Sequence, residues 1–316
     1  MSTGPLVIVG DTLCDLDIHG TVTRHCPDAA HAPVLDAEHT TRRPGGAGLA
    51  AILAAATTTP VRLVTALADD DDGHWLADTL SRHLELVAGP AHGPTCTKIR
   101  MLNQSRPLLR LDYGHSSAGP AHPAMRGALH DAGAILVADY GRGIARALTP
   151  TLAALSTHIP IIWDPHPHGP DPVPGCAMIT PNLAEARRAL HAIPLPADPI
   201  DAALTAAAAL RDHWAARAVA VTAGTHGAAL AGPRRPSQLM PARAAPDDAD
   251  PCGAGDCFAT AIATELRTGT EPHTAVSTAV DQASQFVRAG GATTIHLSTH
   301  ASTLPTNLKG LHEYVH

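Results

Sequence analysis

Residues 250 to 258 read Asp250-Pro251-Cys252-Gly253-Ala254-Gly255-Asp256-Cys257-Phe258, a glycine-rich turn running straight into an apolar stretch. Such a turn predicts a helix whose first N–H groups have no intrahelical acceptor. Together with the helix dipole they form an anion site. Small residues there let a phosphate group approach the backbone closely. Asp256 sits at the same helix end, where a carboxylate can take the proton of a hydroxyl while the N–H groups of the helix start hold a transferring phosphoryl group. Positioning and charge stabilisation supply most of the rate in phosphoryl transfer. The plainer role for Asp256 is to cap the helix. No Gly-Lys-Ser/Thr follows, so this is not a Walker phosphate loop.

The elements that must position this turn alternate along the chain. Leu6 to Val9, Val61 to Ala66, Ile135 to Ala138, Pro160 to Trp163, Ala177 to Thr180 and Ala218 to Thr222 are short apolar runs with buried-strand character. Helical patterns lie between or after them: Gly45 to Thr58 (opening on two glycines), Leu148 to Leu155, Ala202 to Trp214, Ala254 to Leu266 and Thr274 to Val287. This alternation predicts an α/β fold, a mostly parallel sheet covered on both faces, with ligands beyond the carboxyl ends of the strands. Two segments break the rhythm, about 16–43 (polar, rich in Pro and His) and 95–113 (strand-like). They are read as a small β appendage over the ligand edge. Pro194 to Pro199 and Gly232 to Pro246 read as loops, and the four carboxylates Asp69 to Asp72 as a solvated turn before a helix at His74.

The bulk properties narrow the class. With 316 residues the chain suits one α/β domain, residues 1–316, with or without a small appendage. A net charge of -7 argues against a general nucleic-acid binder. No apolar run approaches a membrane span, and Met1 to Pro5 lacks the basic start of a signal peptide. The six cysteines form no paired CxxC motif and are read as free thiols of a cytoplasmic protein. The 21 histidines are read mostly as exposed polar substitutes. His166 and His168 beside Asp164 are read as a loop, not as a metal site.

The turn fits every fixed position of D-x-x-G-A-G-D-x-F, and so resembles the second signature of the PfkB/ribokinase family. The resemblance implies a ribokinase-like three-layer α/β/α domain with a small β lid, ATP as phosphoryl donor, Asp256 as base, and Gly253, Ala254 and Gly255 as anion hole. Gly45-Gly46 is similar to the family's first signature. Thr180-Pro181-Asn182-Leu183-Ala184-Glu185 resembles its N-x-x-E motif, which implies that Asn182 and Glu185 hold Mg²⁺ through water; the same spacing also makes a capping box. Val221-Thr222-Ala223-Gly224 with Gly227 resembles its nucleotide-binding strand end, although a plain hairpin would read the same. The resemblance also implies K⁺ near Asp250 and a homodimer paired through the lid.

Within the family, the chain from about Val7 to Thr303 resembles the D-glycero-β-D-manno-heptose-7-phosphate kinases. This rests on Val9-Gly10-Asp11 with Asp15, Arg43-Pro44-Gly45-Gly46-Ala47, Thr97-Lys98-Ile99-Arg100 leading to Asn103-Gln104, Leu109-Arg110-Leu111-Asp112, Asp139-Tyr140-Gly141-Arg142-Gly143 and Ile162-Trp163-Asp164-Pro165. The implied reaction is γ-phosphoryl transfer to the anomeric hydroxyl of a heptose 7-phosphate. Asp11, Asp15, Gly45, Gly46 and Asp139 are then expected at the sugar. Lys98, Arg100, Asn103 and Arg110 are expected to include its phosphate partners, since Arg binds phosphate bidentately. The pattern departs at Leu49, where the family has Asn, and at His166, where the heptose kinases have Lys. The sequence has no room for a second, nucleotidyltransferase domain, so an enzyme that hands its product on is expected. A PfkB kinase for another sugar or nucleoside, and a non-catalytic sensor of sugar phosphate or nucleotide, are the competing expectations.

Overall fold

A computed structural model describes residues 4–295 except 59, 105, 234, 247 and 248. The apolar runs form the middle of a ten-stranded sheet. Its strands are β1 (Leu6–Gly10), β4 (Val61–Leu67), β5 (Glu85–His92), β8 (Ser117–Ala118), β9 (Ala134–Ala138), β10 (Ile161–Asp164), β11 (Met178–Ile179), β12 (Val219–Thr222), β13 (Ala228–Ala231) and β14 (Gln238–Met240). They lie in the order β14-β13-β12-β11-β10-β9-β1-β4-β5-β8. All pairings from β12 across to β5 are parallel, and the additions at both margins are antiparallel.

The central strands are apolar throughout because both faces are covered. Side chains alternate between faces with period two: Val7 and Val9 join one core, Leu6 and Ile8 the other. The first core contains side chains of α3 (Pro123–Gly127), α4 (Ile144–Leu155), α5 (Leu183–Ala189) and α6 (Pro199–His213). The second contains those of α1 (Ala47–Thr57), α2 (Asp71–Ser81), α7 (Ala254–Arg267) and α8 (Pro272–Ala289). The result is the three-layer α/β/α arrangement expected. Each fully buried Leu, Ile or Val contributes about 1.5–3 kcal/mol by leaving water.

A second sheet of four strands, β3-β2-β6-β7, comprises β2 (Thr12–Cys26), β3 (Ala29–Gly46), β6 (Thr97–Asn103) and β7 (Arg106–Tyr113). Its small core is Leu16, Ile18 and Ile99, with Leu35 against them. The first ribbon extends beyond the stretch 16–43 read from the sequence. Gly45-Gly46 ends β3, paired with Leu13 and Thr12, and the helix opens one residue later at Ala47.

Two further readings are corrected. The stretch from Gly232 to Pro246 contains β14, an edge strand too short for a periodic signal. The acidic run is not a uniformly solvated turn. Asp70 caps α2 by accepting from the Gly73 N–H at 2.7 Å, and Asp72 is buried, accepting from Arg42 and from Thr97 Oγ1. The end of the heptose-kinase resemblance, beyond Ile295, lies outside the described residues.

Candidate active site

The site forms at the carboxyl edge of the large sheet. β9 leads into Asp139 and Tyr140, β10 ends on Asp164, β11 leads into Thr180 and Asn182, and β12 ends on Thr222. The start of α7 faces them. Gly253 precedes that helix with φ 82, a left-handed conformation that suits glycine. A Cβ there would also lie 2.9 Å from Leu49 Cδ2, so the turn needs this glycine twice over.

Asp256 does not cap the helix. Gly253 is the capping position, and Asp256 Oδ1 instead accepts from the Tyr140 hydroxyl at 2.7 Å. Burial pushes the Asp256 carboxyl up to about 7, with Asp15 adding to the rise, while the Tyr140 hydrogen bond and the Lys98 charge oppose it. A carboxyl poised there can serve as a base near neutral pH.

Asp256, Tyr140 and Gly253 form part of the walls of two cavities. The first, about 230 Å³, is lined among others by Asp139, Asp164, His166, Asn182, Glu185 and Thr222. The second, about 130 Å³, is lined by Asp15, Gly46, Leu49, Lys98, Arg100 and Arg110 besides Cys252. One is rich in carboxylate and amide oxygens. The other holds three cationic side chains.

In the first cavity, Asn182 and Glu185 do form the capping box. Asn182 Oδ1 accepts from the Glu185 N–H at 3.0 Å, and Glu185 Oε2 accepts from the Asn182 N–H at 2.8 Å. Capping and cavity lining are thus the same residues' work, since the box fixes both side chains at the rim. Asp164 Oδ1 accepts from Thr180 Oγ1 at 2.9 Å. Burial, then the charges of Glu185 and Asp256, push the Asp164 carboxyl well above its usual range. Crowded carboxylates of this kind are relieved by a cation, and a donor set mostly of oxygens, with His166 the nitrogen among them, suits Mg²⁺ with its waters. Asp139 also faces this cavity. Its Oδ1 accepts from the Gly141 N–H at 2.8 Å, its Oδ2 is buried without a partner, and burial raises it to about 6. His166 is pushed down to about 4 by burial, then by His168 and nearby cations, so at neutral pH it adds no positive charge where Lys was the pattern.

In the second cavity, Asp15 is raised by burial against the pull of Arg43, whose Nε lies 4.0 Å away. A Cβ on Gly45 would come within 2.7 Å of the Asp15 carboxylate, so the glycine gives Asp15 its space. Arg100 donates to Asp17 through Nε and Nη2, both at 2.8 Å, and through Nη1 to Asp250 Oδ2 at 2.7 Å. Arg43 donates to the same Asp17 at 2.7 Å. Burial alone would raise Asp17, but the two guanidiniums override it and hold the carboxyl low. Arg110 reaches the cavity while bound to Asp112 at 2.7 Å. Lys98 makes no ion pair among the described residues; its Nζ sits 5.0 Å from the centre of the Tyr140 ring.

The structure does not bring every expected residue to a cavity. Asp11 accepts from the N–H groups of Tyr140, Arg142 and Ile144 at 3.2, 2.8 and 3.2 Å, so it shapes the loop carrying Asp139 and Tyr140. Asn103 Oδ1 accepts from the Val22 N–H at 3.3 Å and serves the second sheet. Gly224 and Gly227 bound the turn between β12 and β13, away from the lining, whereas Thr222 is part of it. The Ala254 N–H is taken by the Pro251 carbonyl at 3.0 Å, which leaves Gly253 and Gly255 as the lining members of the trio. At Asp250, near which K⁺ was expected, Oδ2 accepts from Arg100 Nη1 at 2.7 Å. Tyr140 and Asp17 carried no role in the sequence reading. The i, i+2 spacing of Asp15 and Asp17 on one strand face was the available signal for the latter.

This fold has close counterparts among solved structures. A ribokinase from Arabidopsis thaliana, solved with ribose and ATP, superposes with TM-score 0.69 at 20% identity, covering 92% of this chain and 95% of that one. A Thermotoga maritima ribokinase gives 0.67 at 18%, covering 92% and 94%. The architecture is therefore that of the ribokinases. Residues 5–299 match the family described as pfkB family carbohydrate kinase, and the chain belongs to that family. It is 43% identical to the bifunctional protein HldE of Streptomyces coelicolor over 92% of its own length, and 33% identical to that of Pseudomonas fluorescens strain SBW25 over 85%. It spans 62% and 57% of those two relatives.

Proposed function

We propose that the protein transfers the γ-phosphoryl group of ATP to the anomeric hydroxyl of a heptose 7-phosphate, giving the 1,7-bisphosphate. The observation that carries this reading is the placing of Asp256 in the wall common to an acidic, amide-lined cavity and a cationic one. The first suits the nucleotide phosphates. The second suits a sugar that already bears a phosphate. The heptose rests on the residue resemblance set out above and on Lys98, Arg100 and Arg110.

The acceptor hydroxyl gives its proton to Asp256, and its oxygen bonds to the γ-phosphorus. The bond to the bridging oxygen breaks, and ADP leaves with that oxygen's electron pair. Gly253 and Gly255, at the positive end of α7, face the anionic group in transfer. Asn182 and Glu185 would hold Mg²⁺ through water, and the ion would neutralise charge on the phosphates. A K⁺ ion near Asp250 would order the anion hole by neutralising nearby carbonyls, beside the Arg100 bond to Asp250, and activity independent of K⁺ would remove it from the reading.

The reading extends to assembly and location. β7 is exposed along its length at the edge of the second sheet, with Leu109 56% and Tyr113 47% exposed. An uncovered edge strand of this kind invites pairing with a second copy through the lid; a monomer by light scattering would refute it. Free thiols suit the cytoplasm. No helix among the described residues is long and apolar enough to cross a membrane.

A second reading, a kinase for a different sugar, is favoured by Leu49, which lines the acceptor cavity with an apolar surface. ADP release from Mg-ATP should be measured against heptose 7-phosphates, fructose and its phosphates, ribose and adenosine. Turnover confined to a heptose 7-phosphate is the expected result. Turnover on another sugar selects the second reading, and ATP binding without any turnover would leave a sensor.

A further inference from the structure

We propose that Tyr140 is a positioning residue for the reaction, its hydroxyl occupying Asp256 Oδ1 so that Oδ2 receives the acceptor proton. The inference rests on Asp256 being the base. Tyr140 follows β9 in a loop tied down at three N–H groups by Asp11, its own included. Its ring lines both cavities, with Lys98 Nζ 5.0 Å and the His166 ring 6.4 Å from its centre. The hydroxyl reaches Asp256 Oδ1 at 2.7 Å, and no other side chain or backbone group bonds to the Asp256 carboxylate among the described residues. The rotation of that carboxylate therefore hangs on one hydrogen bond.

The chemistry follows from the direction of that bond. A phenol donating to a carboxylate stabilises the ionised form. Tyr140 itself stays protonated, because burial and the Asp256 charge push its own ionisation far upward. The groups facing Asp256 are Tyr140 after β9, Asp15 on β2, Lys98 on β6, Asp164 at the end of β10, and Cys257 next to it on α7. Asp15 opposes ionisation, and Lys98 and the Tyr140 hydroxyl favour it. Removing the hydroxyl alone leaves the ring in place and raises the proton affinity of the base. It also frees the carboxylate to turn away from the acceptor.

The test uses Tyr140→Phe in the full chain, with two readouts. The first is a carboxyl ¹³C titration of Asp256 in protein without substrates, its signal identified by its loss in Asp256→Asn. The midpoint should rise by about one pH unit, as expected for losing a hydrogen bond to a charged group. The second is the pH profile of turnover. kcat should fall about 10-fold to 100-fold, the acid limb should move up with the titration, and KM for ATP and acceptor should stay within about twofold. An unchanged midpoint, or an unchanged kcat, overturns the proposal. A wild-type protein that turns over no sugar would sink the proposed function instead, while the titration would still decide whether Tyr140 sets the state of Asp256.

Discussion

Arg100 Nη1 lies 2.7 Å from Asp250 Oδ2, which ties the second sheet to the turn that opens α7. The same guanidinium grips the fully buried Asp17. Arg100→Met should therefore strand a buried carboxylate with Arg43 alone, and breaking such a pair costs about 3–5 kcal/mol. Chemical denaturation should register that loss. Because the turn is loosened as well, kcat should fall more than ATP affinity. A variant as stable as the wild type would remove the tie from the account.

Asp256→Asn keeps the size of the side chain and removes the base. Turnover should fall about 10²-fold to 10⁴-fold, with the dissociation constant for ATP, measured calorimetrically, within about threefold. Near-normal turnover would end the assignment.

The elevated Asp256 carboxyl sets two pH trends of known sign. The base works only when ionised, so kcat/KM should decline as pH falls through about 7. Stability runs the other way. The folded state holds its proton more tightly than the unfolded chain, so this group's contribution is full below about 4 and is lost as pH rises through about 7. Asp256→Asn should thus raise the melting temperature more at pH 8 than at pH 5. Equal gains at both would contradict the buried, neutral-leaning carboxyl.

Lys98 is the cation of the acceptor cavity without an ion pair among the described residues, and so the readiest partner for a phosphate. Lys98→Ala should raise KM for a phosphorylated acceptor about 10-fold to 100-fold, the worth of a charge-assisted hydrogen bond. KM for ATP should hardly move. An equal loss on sugars lacking phosphate would point to Asp256, whose ionisation Lys98 also favours.

Glu185→Gln separates the two tasks of the capping box. The amide oxygen can still accept from the Asn182 N–H, so the melting temperature should change little. The negative charge is lost, and the Mg²⁺ concentration for half-maximal activity should rise about tenfold, since indirect ligation partners tune affinity on that scale.

The central sheet was legible because its strands are buried on both faces and read as unbroken apolar runs. β5, β8, β13 and β14 were not: β8 and β14 are short margin strands, β5 is largely exposed, and β13 is a four-residue run of mostly alanine. The Gly253–Asp256 turn stood out by its composition and by its resemblance to a family signature, and Asn182 with Glu185 by their spacing. What distance along the chain hid was pairing. Tyr140 and Asp256 stand 116 positions apart, and Arg100 and Asp250 stand 150 apart. No local pattern reveals that Asp11 is consumed by three N–H groups, or that Asp17, two residues beyond Asp15, is the carboxylate that organises the arginines.

The two compartments also bear on waste. Water is a nucleophile small enough to occupy the 130 Å³ space when no sugar fills it, and Asp256 lines that space. Leu49 offers such a molecule no hydrogen bond, but Asp15, Lys98, Arg100 and Arg110 line the same space and do. Keeping water from the reacting phosphate would thus fall to the bound acceptor, which fills the space, rather than to the wall that lines it.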